Sequence, residues 1–453
     1  MNRLRQVFGD DAPDHSYEPL EGSSERPDGE RIEHTGARLF SWTDYSVFLL
    51  LGVAMLWAWN MFLAAAPYFQ RRFASNDNLL RNFQSGILSV STVGNLGSMI
   101  VLTKLQARAN YPKRITIALS LNAVVFTLLA LSTKLFLSVS AGIYFAFLMI
   151  MALSASLATG LCQNGVFAYV SGCGREEYTQ AIMTGQGVAG VLPALTQIIS
   201  VLSVPKKQRH DVPQLREPNT SAFVYFMTAT IVSALTLVAF FHLLSRTSSK
   251  SCLQQTHLQD PAADLSASTQ SLRKTIPLMR LLGKLFWLAS ALFITFAVTM
   301  FFPIFTSRII SVRDPATSPR LFQPATFIPL GFFFWNVGDL IGRTGPALPA
   351  LRLTHRPMLL FCFALARLSF IPLYFLCNIG GKGASVDSDF FYLVFVQALF
   401  GLSNGYLGSS CMMGFAEYVE SDELEAAGGF MSLCLVSGLT AGSFLSFAVA
   451  SFV

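Results

Sequence analysis

An Asn, an Asp and an Arg lie inside an apolar stretch that is long enough to cross a membrane. The stretch reads GFFFWNVGDLIGR, and Asn336, Asp339 and Arg343 follow one another at i, i+3 and i+7. On a helix this spacing puts the three side chains along one stripe, where Asp339 and Arg343 can neutralise each other. A charge at the centre of a bilayer costs about 2.5–3.5 kcal/mol on insertion scales. We therefore expect the stripe to be either a polar binding site or an ion pair that locks two helices.

Aromatic and small residues accompany the stripe. Phe332 and Trp335 lie within one helical turn before Asn336, and Gly338 and Gly342 flank Asp339. The rings can stack on a flat ligand, the charges can bind hydroxyl groups, and the glycines can leave room beside them. The pattern favours a pocket with ions at one end and stacking rings at the other.

Further polar residues interrupt other apolar stretches. Trp59 and Asn60 are near the middle of the first stretch, and Gln163 and Asn164 stand between glycines in the fourth. Amides of this kind either bind a polar solute such as a nucleobase or sugar, or join neighbouring helices by hydrogen bonds. Arg367, in the ninth stretch, can pair with Asp339 or extend its head group to the membrane surface.

The segment from Gly185 to Gly190 has the spacing GxGxxG. A dinucleotide site requires this motif between a strand and a helix, whereas here it lies within an apolar stretch. Small residues that let two helices approach closely are the better explanation.

Composition excludes several classes of protein. The chain has 453 residues, of which 52% are hydrophobic and 13% charged, as in multi-span membrane proteins. Its net charge of +6 falls in short clusters between apolar stretches, so we expect no nucleic acid partner. The seven cysteines form no CxxC pair and HExxH is absent, so no metal or cofactor is expected. Without a paired nucleophile and base, enzyme chemistry is not expected either.

Eleven apolar stretches are long enough to be membrane spans. They lack the alternating pattern of barrel strands, and only helices or closed barrels satisfy the backbone in lipid, which predicts an all-α integral membrane protein. The predicted spans are 43–69, 84–105, 114–136, 139–171, 179–203, 222–245, 284–309, 324–345, 356–378, 389–414 and 427–452.

The spans divide into six and five. Residues 1–42 form a polar, disordered tail, and 43–245 form the first bundle. A Ser- and Gln-rich linker at 246–283 precedes the second bundle at 284–453. Two bundles that move around a site at the membrane midplane are common in secondary transporters.

Lys and Arg in the connections favour a cytosolic N-terminus. The sequon at Asn219 then lies on the opposite side. The tail contains a tyrosine-based sorting pattern, Tyr17 to Leu20, so both the plasma membrane and a vacuole- or lysosome-like membrane stay open. The connection after the tenth span is rich in carboxylates, from Glu417 to Glu425. Such a run is usually a solvated loop; a gate that pairs with basic residues of other loops is the alternative.

Several of these motifs occur together in one known family, and in the same order. The chain resembles an equilibrative nucleoside transporter from about residue 43 to its end. The motifs that carry the resemblance are Trp59-Asn60, Gln163 with Gly165, Tyr178 with Gly185–Gly190, Asn336-x2-Asp339-x2-Gly342-Arg343, Arg356-Pro357 with Arg367 and Pro372, Ser403–Tyr406, and Glu425 with Gly428.

The resemblance implies a major-facilitator-like bundle that acts as a monomer and moves purine and pyrimidine nucleosides. It implies that Asp339 and Arg343 hold the ribose hydroxyls, supported by Asn336, and that Gln163 contacts the nucleobase. The residues it places around the cavity are Leu56, Trp59, Phe302 and Leu439. Leu63 and Gly165 differ from better-known members, which leaves base preference open.

Two alternatives within transport remain. Asp339 is ionisable at membrane depth, which would suit proton-coupled nucleoside or nucleobase symport. Arg343 argues against this because a nearby cation stabilises the charged carboxylate. A major-facilitator sugar carrier is the second alternative, and the odd number of spans argues against it.

Overall fold

The computed structural model describes residues 40–106, 109–136, 138–203, 218–256, 276–314 and 317–450. Residues 1–39 of the predicted tail, with the sorting pattern, and the middle of the predicted linker lie outside these residues. Residue 219 lies inside the described range, at the start of a helix, but its side chain is not described.

Eleven helical segments in the described residues are long and apolar enough to cross a membrane, which confirms the predicted number and the all-α membrane fold. In chain order they are α1 Trp42–Arg72, α2 Asp77–Lys104, α3 Tyr111–Leu135, α4 Ala141–Ser171, α5 Glu176–Ser203, α6 Thr220–Arg246, α7 Leu278–Thr306, α8 Pro324–Ala347, α9 Pro357–Tyr374, α10 Phe391–Tyr418 and α11 Leu424–Ser446.

Helix caps explain the largest shift at a helix start. Helix α2 begins at Asp77, seven residues before the predicted start at 84, because the Asn76 side chain accepts a hydrogen bond from the Leu79 N–H. Asn110 caps α3 in the same way through the Lys113 N–H. These polar first turns lie outside the apolar stretches from which the spans were predicted.

The edges of the predicted linker are helical. The helix that contains α6 runs from Pro218 to Thr256, and α7 already begins at Leu278. A helix satisfies its own backbone hydrogen bonds, so it can continue out of the apolar layer that hydropathy detects. The connection between the two helices is therefore shorter than the predicted 246–283.

Two spans are broken by proline near the candidate site. In α7 the first helix ends at Thr299, and a short helix, Phe302–Thr306, follows. Pro303 explains this break, since a proline ring collides with the carbonyl four residues earlier, here that of Thr299. In α9 a 3-10 turn begins at Arg367. Here the ring of Pro372 collides with the carbonyl of Leu368, which lies four residues earlier.

Glycines bring α8 and α10 into direct backbone contact. A Cβ added to Gly338 or Gly342 would lie 2.1 Å from a carbonyl oxygen of α10, and Gly401 and Gly405 face the α8 backbone equally closely. The sequence interpretation of Gly338 and Gly342, that they leave room beside the charges, is therefore wrong. Their missing side chains are used for helix packing.

The glycines of α5 also serve helix packing, as predicted. A Cβ on Gly185 would lie 2.1 Å from the Leu49 carbonyl oxygen of α1. On another face of α5, Gly187 approaches Leu340 and Gly190 approaches Asn336, both on α8. Helix α5 is thus held between α1 and α8.

The hydrophobic core has three parts, which we describe relative to the proximal end, where α1 begins, and the distal end, where α1 ends. The proximal core combines the proximal parts of helices from α1–α6 with those from α7–α11. The first distal core belongs to α1–α6 alone. The second belongs to α7–α10 and, among the residues that the structure describes, takes one buried residue from the first six helices, Ile198 of α5. The two sets of helices share one core at the proximal end and have separate cores at the distal end.

Candidate functional site

The predicted ion pair is present in α8. Arg343 Nε lies 2.6 Å from Asp339 Oδ2, and each residue is only 4% exposed. Removing one partner of a buried pair leaves an uncompensated charge in a low-dielectric interior, which is strongly destabilising. The two groups therefore act as one unit.

Hydrogen bonds extend this pair to two other helices. Arg343 Nη1 donates to the Met183 carbonyl oxygen at 3.1 Å and to Gln186 Oε1 at 3.0 Å, both on α5. Asp339 Oδ1 accepts from Asn404 Nδ2 of α10 at 2.6 Å. The guanidinium group thus bridges α8 to one of the first six helices.

Gln186 had been interpreted only as part of a glycine motif. Gln186 lies in an apolar stretch, where an amide needs a hydrogen-bond partner, and this could have marked it as a site residue. Which partner it finds depends on tertiary packing.

Asn336 faces α5 as well. Its Nδ2 donates to the Phe332 carbonyl oxygen at 2.8 Å, and its Oδ1 would lie 2.4 Å from a Cβ added to Gly190. The two ends of the predicted stripe, Asn336 and Arg343, therefore contact α5, whereas Asp339 between them contacts α10.

Aromatic rings lie on the distal side of the stripe. Phe302 of α7 stacks on Trp335 with ring centroids 4.3 Å apart, and Phe332 contacts the edge of the same Phe302 ring at 5.1 Å. Phe302 and Trp335 are buried in the second distal core, and Phe332 packs against it. The structure thus brings the predicted ring residues Phe302 and Phe332 together, and Phe332 lies two turns before Asp339 on α8.

The remaining predicted residues lie on other helices than the ion pair. Leu56 and Trp59 of α1 and Leu439 of α11 are half-buried, and Gln163 of α4 is buried. Trp59 stacks on Phe62 with centroids 6.1 Å apart. Within the described part of the chain, no hydrogen bond or ring contact joins these four residues to Asp339 or Arg343.

The amides next to two of these residues have structural partners. Asn60 Nδ2 donates to the Ala189 carbonyl oxygen at 2.8 Å, which ties α1 to α5. Asn164 Oδ1 accepts from Arg114 Nη1 of α3. Joining helices is therefore the role that the geometry shows for Asn60 and Asn164.

Arg367 is buried, with 1% of its surface exposed, so extension to the membrane surface is wrong. Its Nη2 donates to Thr299 Oγ1 at 3.1 Å, and its guanidinium carbon lies 4.7 Å from the centre of the Phe400 ring. It reaches Asp339 through intervening side chains, since Thr299 in turn contacts Asn404.

Carboxylates of the tenth connection are partly solvated, since Glu420 and Asp422 are exposed, and several of them also pair with basic residues of other segments. At the proximal end Arg352, between α8 and α9, pairs with Glu176 of α5 and lies 3.4 Å from Glu417. His355 Nδ1 is 2.8 Å from the other oxygen of Glu417. The Arg352–Glu176 pair joins α5 to the second set of helices.

A second group of charges lies within the second set of helices. Lys284 Nζ contacts Glu423 at 2.6 Å and Glu420 at 3.0 Å, and Arg280 lies 2.9 Å from Glu423. The hydrogen bond from Lys284 lowers the pKa of the Glu423 carboxyl below its usual range. This group fixes the start of α7 against the start of α11.

In the described residues, eleven membrane-length helices with a shared proximal core and separate distal cores form the two-set helical bundle of the major facilitator fold. Solved structures support the fold. The major facilitator superfamily transporter FucP in its outward conformation matches with a TM-score of 0.55 over 90% of this chain and 92% of its own, at 18% identity. The proton:xylose symporter XylE matches with a TM-score of 0.55 over 90% and 88%, at 12% identity.

The chain belongs to the nucleoside transporter family, whose model matches residues 148–451. It is 28% identical to nucleoside transporter FUN26 of Saccharomyces cerevisiae, over 89% of this chain and 83% of that protein. It is 26% identical to human equilibrative nucleoside transporter 1, over 88% and 95% respectively.

Proposed function

We propose that this protein moves purine and pyrimidine nucleosides down their concentration gradients by alternating access, without covalent chemistry. The observation that carries the proposal is the buried Asp339–Arg343 pair at the boundary between α8 and α5. Family membership and relatives named equilibrative nucleoside transporters support it.

Asp339 and Arg343 are proposed to bind the ribose hydroxyls. A hydroxyl group both donates and accepts, so a carboxylate that accepts and a guanidinium that donates suit two neighbouring hydroxyls. In this conformation Arg343 uses Nη1 on the Met183 carbonyl oxygen and on Gln186. A ribose that took over this nitrogen would weaken the hold of α8 on α5, which links binding to opening of the proximal end.

The remaining cavity residues are proposed to surround the base. Gln163 would contact the base edge, with Asn336 supporting the ribose end. The apolar and aromatic walls would come from Leu56, Trp59, Phe302, Phe332 and Leu439. Aromatic faces and a few placed polar groups are typical of small-molecule sites.

We infer that this conformation represents a state closed at the proximal end, in which substrate would enter from the distal end. The shared proximal core and the Arg352–Glu176 pair close one side, and the separate distal cores support access from the other. We propose a cytosolic N-terminus, so that the proximal end faces the cytosol.

Uptake into liposomes tests the equilibrative part of the proposal. Purified protein should give saturable uptake of radiolabelled uridine and adenosine that stops when inside and outside concentrations are equal, with and without a proton gradient. Proton-driven accumulation above the outside concentration would contradict it and favour the symport alternative.

The protein is further proposed to work as a monomer without a nucleic acid partner, in the plasma membrane or a vacuole- or lysosome-like membrane. Comparing the positions of the tagged protein and a tagged Tyr17→Ala form in cells separates the two membranes. Movement of the Tyr17→Ala form from an internal membrane to the cell surface would support sorting by the tail; identical positions would exclude it.

A further inference from the structure

A chain of buried hydrogen bonds connects Arg367 of α9 with Asp339 of α8. Arg367 Nη2 donates to Thr299 Oγ1 of α7 at 3.1 Å. Thr299 Oγ1 lies 2.6 Å from Asn404 Oδ1 of α10, and Asn404 Nδ2 donates to Asp339 Oδ1 at 2.6 Å. All four residues are at least nine-tenths buried.

Arg367 fixes the donor-to-acceptor direction of this chain of hydrogen bonds. A threonine hydroxyl has one proton, and Thr299 Oγ1 lies within reach of two acceptors, the Thr295 carbonyl oxygen and Asn404 Oδ1. Arg367 Nη1 already donates to the Thr295 carbonyl oxygen. The Thr295 carbonyl oxygen thus accepts from the helix backbone and from Arg367, which occupies both of its lone pairs, and the bond from Nη2 occupies a lone pair of Thr299, so the hydroxyl proton is directed to Asn404.

The orientation of the Asn404 amide follows from this. With its oxygen engaged by Thr299, its Nδ2 faces the Asp339 carboxylate. The opposite orientation would place the amide oxygen against a carboxylate oxygen, two acceptors without a proton between them. Asn404 in turn holds one oxygen of Asp339 while Arg343 holds the other.

We propose that Arg367 is a positioning residue that sets substrate specificity through Thr299 and Asn404 by fixing the orientation of the Asp339 carboxylate. The inference rests on the proposed function, in which Asp339 binds the ribose. A misoriented carboxylate would bind the ribose hydroxyls poorly, so the affinity for ribonucleosides would fall. A substrate without these hydroxyls would lose little affinity. We therefore expect this chain of hydrogen bonds to control the preference for ribonucleosides over their dideoxy analogues.

Thr299→Val is the primary test, because it removes the hydroxyl and keeps the shape, whereas removing the buried Arg367 cation can prevent folding. In liposomes the KM for uridine should rise roughly tenfold with little change in the maximal rate, as expected for one lost hydrogen bond to a charged network. The preference for uridine over 2′,3′-dideoxyuridine should fall by a similar factor. Thr299→Ser, which keeps the hydroxyl, should restore both values.

Ser403→Ala is the matched control. Ser403 accepts from Arg367 Nε at 3.0 Å but lies outside the path to Asp339, so uridine preference should stay unchanged. A Thr299→Val protein with a reduced maximal rate and unchanged preference would show a merely structural role and overturn the proposal.

Asp339→Asn separates this inference from the proposed function. If Asp339→Asn loses uptake while Thr299→Val keeps full preference, only the positioning role fails. If Asp339→Asn keeps uptake and preference, the ribose site itself fails.

Discussion

At the scale of single residues, the site depends on groups whose types could be predicted but whose partners could not. The i, i+4 spacing of Asp339 and Arg343 was enough to predict their pairing. Gln186 and Asn404 complete the network from positions 157 and 65 residues away in sequence. No local pattern encodes such contacts, since they arise when α5 and α10 pack against α8.

Arg343→Lys tests the need for a forked donor. A lysine ammonium can pair with Asp339, but it lacks the planar fork with which Arg343 reaches Asp339, Gln186 and the Met183 carbonyl oxygen together. We expect uridine uptake to fall at least roughly tenfold, the equivalent of one charged hydrogen bond, while the protein still inserts. Arg246→Lys, at a partly exposed pair with Asp44, is the control and should keep wild-type uptake. Equal uptake in both variants would contradict the prediction.

At the scale of helices, hydropathy predicted the number of spans because lipid requires long apolar helices. It missed the polar first turn of α2 and the extension of the α6 helix to Thr256, because neither lies in lipid-length apolar sequence. The breaks at Thr299 and Arg367 could have been predicted from Pro303 and Pro372. The role of Gly338 in packing could not have been predicted, because it depends on which helix lies beside α8.

Gly338→Ala tests the close contact of α8 with α10. The added Cβ would lie 2.1 Å from the Ala398 carbonyl oxygen, so the helices must separate. Overpacking of this kind costs about 1–3 kcal/mol, and we expect a lower midpoint of thermal unfolding in detergent. Gly283→Ala is the matched control on α7, where an added Cβ meets no atom within 4 Å, and it should leave the midpoint unchanged or raise it. A Gly338→Ala protein as stable as Gly283→Ala would refute the packing.

At the scale of the whole molecule, the two sets of helices are joined at the proximal end by a shared core and by charges that are distant in sequence. The predicted six-plus-five division did not indicate at which end the sets are joined, because that depends on contacts between residues far apart in the sequence. Glu417 pairs with Arg352, a partner that the carboxylate pattern alone did not indicate because it lies in another loop.

Cross-linking tests whether the proximal contact between the helix sets must open. In a background without the seven native cysteines, Glu176→Cys with Arg352→Cys joins α5 to the connection before α9. Oxidation should abolish uptake, and reduction should restore it. Lys284→Cys with Glu423→Cys joins residues of one set only and should leave uptake intact when oxidised. Full uptake with the Glu176–Arg352 positions cross-linked would contradict alternating access at this end.

We propose that the buried Asp339–Arg343 pair binds nucleosides for transport. The most direct test of this proposal is the initial rate of radiolabelled uridine uptake into liposomes that contain equal amounts of inserted wild-type or Asp339→Asn protein. Asparagine keeps the size of the side chain but leaves Arg343 without its counter-charge. We predict uptake at the level of protein-free liposomes for Asp339→Asn. Uptake at the wild-type rate would contradict the account.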